Sequence, residues 1–248
     1  MTGSERLPVR IAHRGASDRA PENTLAAIRE AIALGCDAVE FDVRVTRDGV
    51  PVLLHDATLE RTTDGSGSVA ALTWEELRRL DAGSWKGPAF AGEPVPTLEE
   101  ALRAVPEEVT AVVELKTLES AVPAVRVVQR LDRIDRVVFI SFLSEALERA
   151  RSVEPALSVG WLIGELPVPD DSRRSAQAVR RRLAQLGTGL LDAAETLVEE
   201  QFLQELRRFG LACWVWTVDS PARMAELIRI GVDGITTNRL DRLNAFWE

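Results

Sequence analysis

Two histidines occur in the 248 residues, His13 and His55, each closing a short apolar run, with the acidic pair Glu40 and Asp42 between them. Imidazole changes charge near neutral pH and can therefore accept or donate a proton. Carboxylates at i and i+2 of a strand point to the same side. Two proton carriers thus flank a candidate cation site. A further strand-like run ends in Glu114 and Lys116, again two residues apart and again on one side. An inward charge at a strand end needs a partner or a chemical task. Three carboxylates from two strands suit a hard, oxygen-preferring divalent cation, Mg2+ or Ca2+, and the lack of further His or Cys ligands disfavours structural zinc. Taken singly, Glu114 beside Lys116 or Arg14 reads as a structural ion pair, and a lone His as a structural hydrogen-bonder. Three carboxylates together with two histidines do not.

The elements that must position these groups alternate along the chain. Period-two and apolar runs predict strands at Val9–His13, Ala38–Val45, Thr110–Lys116, Arg136–Phe142, Leu157–Ile163, Thr188–Ala194, Ala212–Val218 and Gly234–Thr237. Amphipathic patterns predict helices near Glu22–Leu34, Thr97–Val105, Ser120–Leu131, Ser144–Val153, Ser172–Leu186, Val198–Phe209, Ser220–Ile230 and Arg239–Trp247. Gly35, Gly210 and Gly231 mark helix ends. Eight strands with eight helices predict an α/β fold, a (β/α)8 TIM barrel. A doubly wound open sheet shares the alternation, but no G-x-G-x-x-G follows a strand. In a barrel the C-terminal strand ends carry the chemistry, which gathers His13, Glu40, Asp42, Glu114, Lys116, Trp214 and Trp216 at one mouth.

The alternation breaks once, after strand two. Asp48-Gly49 signals a hairpin, Pro51–His55 runs back as an extra extended segment, and residues 56–96 form a Gly- and Ser-rich, lid-like insertion. A short helix is expected at Trp74–Leu80, with Trp85 and Phe90 as apolar anchors. The chain is expected to form a single domain over residues 1–248.

A net charge of −9 argues against nucleic acid or an anionic membrane as a bulk partner. No run reaches the roughly 20 apolar residues of a membrane span, and Met1–Arg10 lacks the apolar core of a signal peptide, so a cytoplasmic location without a membrane anchor is expected. Cys36 and Cys213 read as buried free thiols. The arginines at 173, 174 and 180–182 flank Ala176, Val179, Leu183 and Leu186 at helical spacing and read as a solvated helix face.

The combined order of short motifs resembles the glycerophosphodiester phosphodiesterase family. The matching stretches are His-Arg-Gly at 13–15, Glu-Asn-Thr at 22–24, Glu-x-Asp at 40–42, His-Asp at 55–56, Arg-Thr-Thr at 61–63, Glu-Leu-Lys at 114–116, Trp-Thr-Val at 216–218 and Gly-Val-Asp-Gly-Ile at 231–235. The resemblance implies a TIM barrel that hydrolyses small-molecule glycerophosphodiesters, the deacylated phospholipid headgroup diesters, to glycerol phosphate and an alcohol with Mg2+ or Ca2+. It implies Glu40, Asp42 and Glu114 as metal ligands, His13 and His55 as acid and base, Arg14 and Lys116 on phosphate, and Trp216 on the glycerol side. Residues 164–191 and Thr237–Leu240 are less typical of the family. Two rival readings share these residues: a lysophospholipid or sphingolipid phosphodiesterase, which needs an apolar groove such as Trp74, Trp85 and Phe90 could offer, and a non-catalytic phosphate-binding barrel, which would have lost catalytic groups. Headgroup preference, Mg2+ versus Ca2+, which histidine is acid and which base, whether water or the substrate's own glycerol 2-hydroxyl is the nucleophile, and oligomeric state stay open at this level.

Overall fold

The computed structural model describes residues 7–169 and 171–247. The leader-free stretch expected at the N-terminus lies partly outside it, as do Asp170 and Glu248.

Eight parallel strands close on themselves: β1 Val9–Ala12, β2 Ala38–Val45, β4 Thr110–Leu115, β5 Val137–Ser141, β6 Ser158–Ile163, β7 Leu190–Ala194, β8 Ala212–Trp216 and β9 Gly234–Thr237. β1 pairs with both β2 and β9, which closes the barrel and excludes the open doubly wound sheet. The break after β2 is a hairpin: β3, Pro51–Leu53, runs antiparallel to β2 around a turn with Gly49 at φ +81°.

The helices form the outer ring: α1 Leu25–Ala33, α3 Leu98–Ala104, α4 Ala121–Arg130, α5 Ser144–Val153, α6 Ser172–Leu186, α7 Glu200–Arg208, α8 Pro221–Ile230 and α9 Leu240–Asn244. α2, Trp74–Leu77, belongs to the insertion. Each strand is buried on both faces, which is why it reads as a nearly continuous apolar run. On β2, Val39, Phe41 and Val43 pack against the helices, whereas Ala38 packs inside the barrel with Ile11, Val112, Ile140 and Leu162. That alternation turns Glu40 and Asp42 inward. Glycine makes room for the inner layer: a Cβ on Gly234 would lie 2.5 Å from the Trp214 ring.

Three boundaries differ from the sequence reading for physical reasons. α1 starts at Leu25 rather than near Glu22, because Asn23 adopts a left-handed conformation (φ +59°) and Thr24 caps the helix through Ala27 N. His13 and Lys116 lie just beyond β1 and β4, where their side chains leave the ladder for the barrel mouth. Trp85 is 42% exposed, its indole N–H donating to the Ala82 carbonyl, so it is not a buried anchor. The insertion is instead held by its own small core of Val52, Leu54, Leu59, Val69, Leu77, Ala82 and Val95. Lys86 Nζ ties it to the Ser17 carbonyl at 2.6 Å. The arginines of α6 lie opposite buried Ala176, Val179, Leu183 and Leu186, the solvated face expected. Both cysteines are free and buried. No helix among the described residues is long and apolar enough to cross a membrane.

The tightest backbone requirement is at Gly15, with φ +78° and an added Cβ only 2.5 Å from the Ala27 carbonyl carbon. Replacing Gly15 with Ala combines left-handed strain with a backbone clash. It is expected to lower unfolding free energy by roughly 2 kcal/mol or more, read as a reduced urea midpoint. An unchanged midpoint would show that the loop after β1 relaxes freely.

Candidate active site

The loop after β1 folds back on β2. Arg14, itself left-handed at φ +55°, donates its backbone N–H to Glu40 Oε2 at 2.9 Å, and its carbonyl accepts from Asn23 N. Asn23 grips Asp42 from both sides. Its Nδ2 donates to Asp42 Oδ2 at 2.8 Å, and the Asp42 backbone N–H donates to Asn23 Oδ1 at 3.0 Å. The helix start that Glu-Asn-Thr seemed to mark is thus a clamp on a carboxylate.

Glu40, Asp42 and Glu114 converge, each offering an oxygen within 4.8 Å of the others. Asp42 is flanked by Arg14 Nε at 3.0 Å and Lys116 Nζ at 3.2 Å, ion-pair distances without hydrogen-bond alignment, while Lys116 donates to Glu114 Oε1 at 2.7 Å. Electrostatics divides the three. For Asp42 burial opposes ionisation, but Arg14, Lys116 and the Asn23 amide outweigh it and hold the carboxyl below the usual range. Burial, reinforced by the charges of Asp42 and Glu114, pushes Glu40 well up. Burial and Asp42 push Glu114 up to about 7. Glu40 Oε1 and Asp42 Oδ1 are buried without a hydrogen-bond partner among the described residues. Two unsatisfied oxygens in a three-carboxylate cluster fit a hard divalent cation, and Glu40, Asp42 and Glu114 would hold it.

The histidines are positioned differently. His13 Nδ1 lies 2.7 Å from Asn238 Oδ1, and the Asn238 amide is oriented because its Nδ2 donates to Asp219 Oδ2 at 2.7 Å. The amide oxygen therefore faces His13, which must donate through Nδ1–H and carry its lone pair on Nε2. His55 donates through Nδ1 to Asp56 Oδ1 at 2.6 Å. Asp56 accepts in turn from Arg61 Nε at 2.5 Å, and Arg61 also holds Glu22, which accepts from Arg14 at 2.7 Å. Burial, with Arg14 beside it, pulls His13 down to about 4. Burial lowers His55 as well, but Asp42 and Asp56 oppose the shift.

These groups share one cavity of about 100 Å³ at the C-terminal strand ends. His13, Arg14, Glu40, His55, Glu114 and Lys116 line its charged side; Ile140, Phe142, Leu162 and Trp216 line an apolar side. Asp42 is fully buried behind the wall. Trp216 stacks edge-on against Phe142 at 5.4 Å and donates its indole N–H to the Asp192 carbonyl at 3.3 Å. Of the residues expected at this mouth, His13, Arg14, Glu40, His55, Glu114, Lys116 and Trp216 line it and Asp42 lies directly behind it, but Trp214 does not reach it: that ring lines a pocket at the N-terminal strand ends with Ser158, Leu190 and Ala212, because its place in β8 is two residues before Trp216 and below the mouth. The sequence reading missed Asn23 as a clamp, the Glu22–Arg61–Asp56 chain, the Asp219–Asn238 pair and Asp192. For all but Asp192, which lies in the middle of β7, a position just after a strand's C-terminal end or within the short motifs was the available signal.

Residues 13–242 match the model of the glycerophosphoryl diester phosphodiesterase family. A glycerophosphodiester phosphodiesterase of Caldanaerobacter subterraneus is 34% identical over 234 residues, 92% of this chain and 93% of that protein. An Oleispira antarctica phosphodiesterase, solved in complex with the product sn-glycerol-3-phosphate, superposes with a TM-score of 0.88 at 31% identity, covering 96% of each chain. A glycerophosphodiester phosphodiesterase from Agrobacterium tumefaciens superposes with a TM-score of 0.81 at 28% identity, covering 96% of this chain and all of that one. With the match running through both histidines and all three carboxylates, the chain belongs to the glycerophosphoryl diester phosphodiesterase family of enzymes.

Proposed function

We propose that the chain hydrolyses glycerophosphodiesters to glycerol 3-phosphate and an alcohol, with a divalent cation on Glu40, Asp42 and Glu114 and with His55 and His13 as base and acid. The observation that carries this reading is the opening of both histidines and the carboxylate cluster onto one cavity, with each Nδ1 engaged and each Nε2 left for chemistry.

A phosphodiester monoanion gains charge toward a pentavalent transition state, so positive groups favour that state over the ground state. A divalent cation, when bound, supplies concentrated positive charge against the phosphoryl oxygens. Arg14 and Lys116 add theirs from the same wall. His55 takes the proton from the attacking hydroxyl, because the Asp56 carboxylate stabilises the imidazolium that forms. His13, neutral with its lone pair on Nε2 in the resting site, takes up a proton there when the anionic substrate enters and gives that proton to the departing alkoxide. Its Nδ1–H meets a neutral amide and Arg14 stands beside it, so its imidazolium releases a proton readily. Trp216 and the apolar wall receive the organic arm of the diester.

A second reading, a lysophospholipid phosphodiesterase, has one observation in its favour. Leu118, Phe142 and Leu143, which follow adjacent strands β4 and β5, are 38%, 44% and 43% exposed and leave an apolar rim on the mouth. Faster turnover of lysophosphatidylcholine than of glycerophosphocholine would select that reading.

Two tests follow from the site. Chelation should abolish hydrolysis, and Mg2+ or Ca2+ should restore it. Because Glu40 and Glu114 are raised, the metal-free site holds protons near neutral pH, and a bound cation must displace them. Titrating Mg2+ or Ca2+ calorimetrically at pH 6.5 in buffers of different ionisation enthalpy should reveal proton release, with affinity falling as pH drops. A heat independent of buffer, or full activity in excess chelator, would remove the metal from this site.

The second test separates the histidines. His13→Ala and His55→Ala should each lower kcat by roughly 10²–10⁴-fold. A nitrophenyl diester, whose leaving group needs no proton, should rescue His13→Ala but not His55→Ala. Asp56 raises the His55 pKa, so Asp56→Asn should move the acidic limb of the kcat/KM profile to lower pH while lowering turnover. Identical behaviour of both histidine variants toward the nitrophenyl diester would defeat the two-histidine scheme.

A further inference from the structure

One ionisable group in the cavity has no part in the scheme above. Asp192 sits in the middle of β7, where the register sets it beside Leu162 of β6 and Trp214 of β8, both residues of the barrel interior. It lines the cavity on the apolar side, across from the carboxylate cluster, and is 1% exposed. Its Oδ1 is buried without a hydrogen-bond partner among the described residues. An unpaired buried carboxyl is costly, and Leu at this position would fill nearly the same space without that cost. The surrounding wall, Ile140, Leu162 and Trp216, offers carbon contacts. What is lacking at Asp192 is a hydrogen-bond partner, and the ligand must bring it.

We infer that Asp192 is a specificity-determining residue that hydrogen-bonds a hydroxyl of the substrate's glycerol arm. The assignment rests on the proposed glycerophosphodiester hydrolysis. With phosphate drawn to Arg14, Lys116 and the carboxylate-bound cation, the ester arm on the other side of the cavity runs along the apolar wall toward β7. A three-carbon polyol there packs its carbons on Ile140, Leu162 and Trp216 and turns a hydroxyl to Asp192. At about 100 Å³ the cavity is of a size for a small polyol arm. An arm without hydroxyls leaves the carboxyl buried and unpaired, so discrimination arises from the cost of that unmet group.

The test compares phosphoethanolamine diesters of glycerol and of 1-propanol, and the glycerol diesters of phosphoethanolamine and ethyl phosphate, in the metal-loaded enzyme. The wild type should prefer glycerol to propyl in kcat/KM, and Asp192→Leu should shrink that ratio by about 5- to 100-fold, the cost of leaving a buried polar group without its hydrogen bond. Asp192→Leu should at the same time raise Tm, an outcome opposite to that of a structural carboxylate. Asp192→Asn keeps an acceptor oxygen and should shrink the ratio less; it carries the comparison if the Leu variant does not fold. A glycerol-to-propyl ratio unchanged in the variants overturns the assignment, even if both rates fall together. So does a loss that follows the exchange of ethanolamine for ethyl, which would place the headgroup ammonium at Asp192. A wild type that hydrolyses the glycerol diesters but ignores the hydroxyls overturns the role of Asp192 alone, whereas one that hydrolyses none of them overturns the proposed function and this inference with it.

Discussion

Three carboxylates forced within 4.8 Å of one another inside a barrel cannot all ionise on their own, and much of the surrounding structure answers that constraint. Asp42 is kept anionic by two cations and an asparagine, while Glu40 and Glu114 are left raised. The groups that hold Asp42 come from three different places: Arg14 after β1, Asn23 before α1 and Lys116 after β4. Pulling them to one point fixes the path of the β1–α1 loop, demands left-handed backbone at Arg14, Gly15 and Asn23, and delays the start of α1. The strain of that loop and the readiness of the site for a cation therefore have one origin. Removing one anion or one cation alone would leave buried charge unmatched, which costs more than the pair contributes.

The barrel interior sorts the remaining work by strand. β1, β2 and β4 carry the charged groups, and β5, β6 and β8 carry Ile140, Leu162 and Trp216, so charge faces an apolar wall across one small cavity. A low-dielectric wall opposite the cations strengthens their field at the phosphate position. It also limits water around the reacting bond. The two halves are complementary because a phosphodiester is itself divided, with an anionic centre between organic arms.

Legibility in the sequence follows the same physics. Strand alternation, helix periodicity and the glycines at helix ends are local, and Gly35, Gly210 and Gly231 do adopt positive φ. Barrel closure could be read from the count of elements. His13, His55, Glu114 and Lys116 were legible because each lies at or just beyond a strand end, and Glu40 and Asp42 because their spacing of two turns both to one face of β2. The partners that orient them were not. His13 and Asn238 are 225 residues apart, and no spacing in the chain announces that an asparagine will choose a histidine tautomer. Asn23 was hidden by its plausibility as a helix start, and Asp192 by lying in a strand whose neighbours are apolar. Trp85 was misread because a tryptophan in an insertion looks like a packing anchor, whereas that segment builds its core from smaller aliphatic residues.

The supports of the two histidines come from opposite ends of the chain, and that separation has consequences. His55 is held through Asp56, Arg61 and Glu22, a chain of ion pairs that reaches back to Arg14 and so to the carboxylate cluster. His13 is held by Asn238 and Asp219, which follow β9 and β8 and touch none of those groups through a hydrogen bond among the described residues. Charge changes at the cluster are thus transmitted to His55 through a network of partly buried ion pairs, while His13 is oriented by a neutral amide. His55 is tied to the cluster by that hydrogen-bonded chain, whereas His13 feels Arg14 and Asp42 through space alone. An asymmetric pair of this kind keeps the two proton affinities apart, which two histidines in like surroundings could not do.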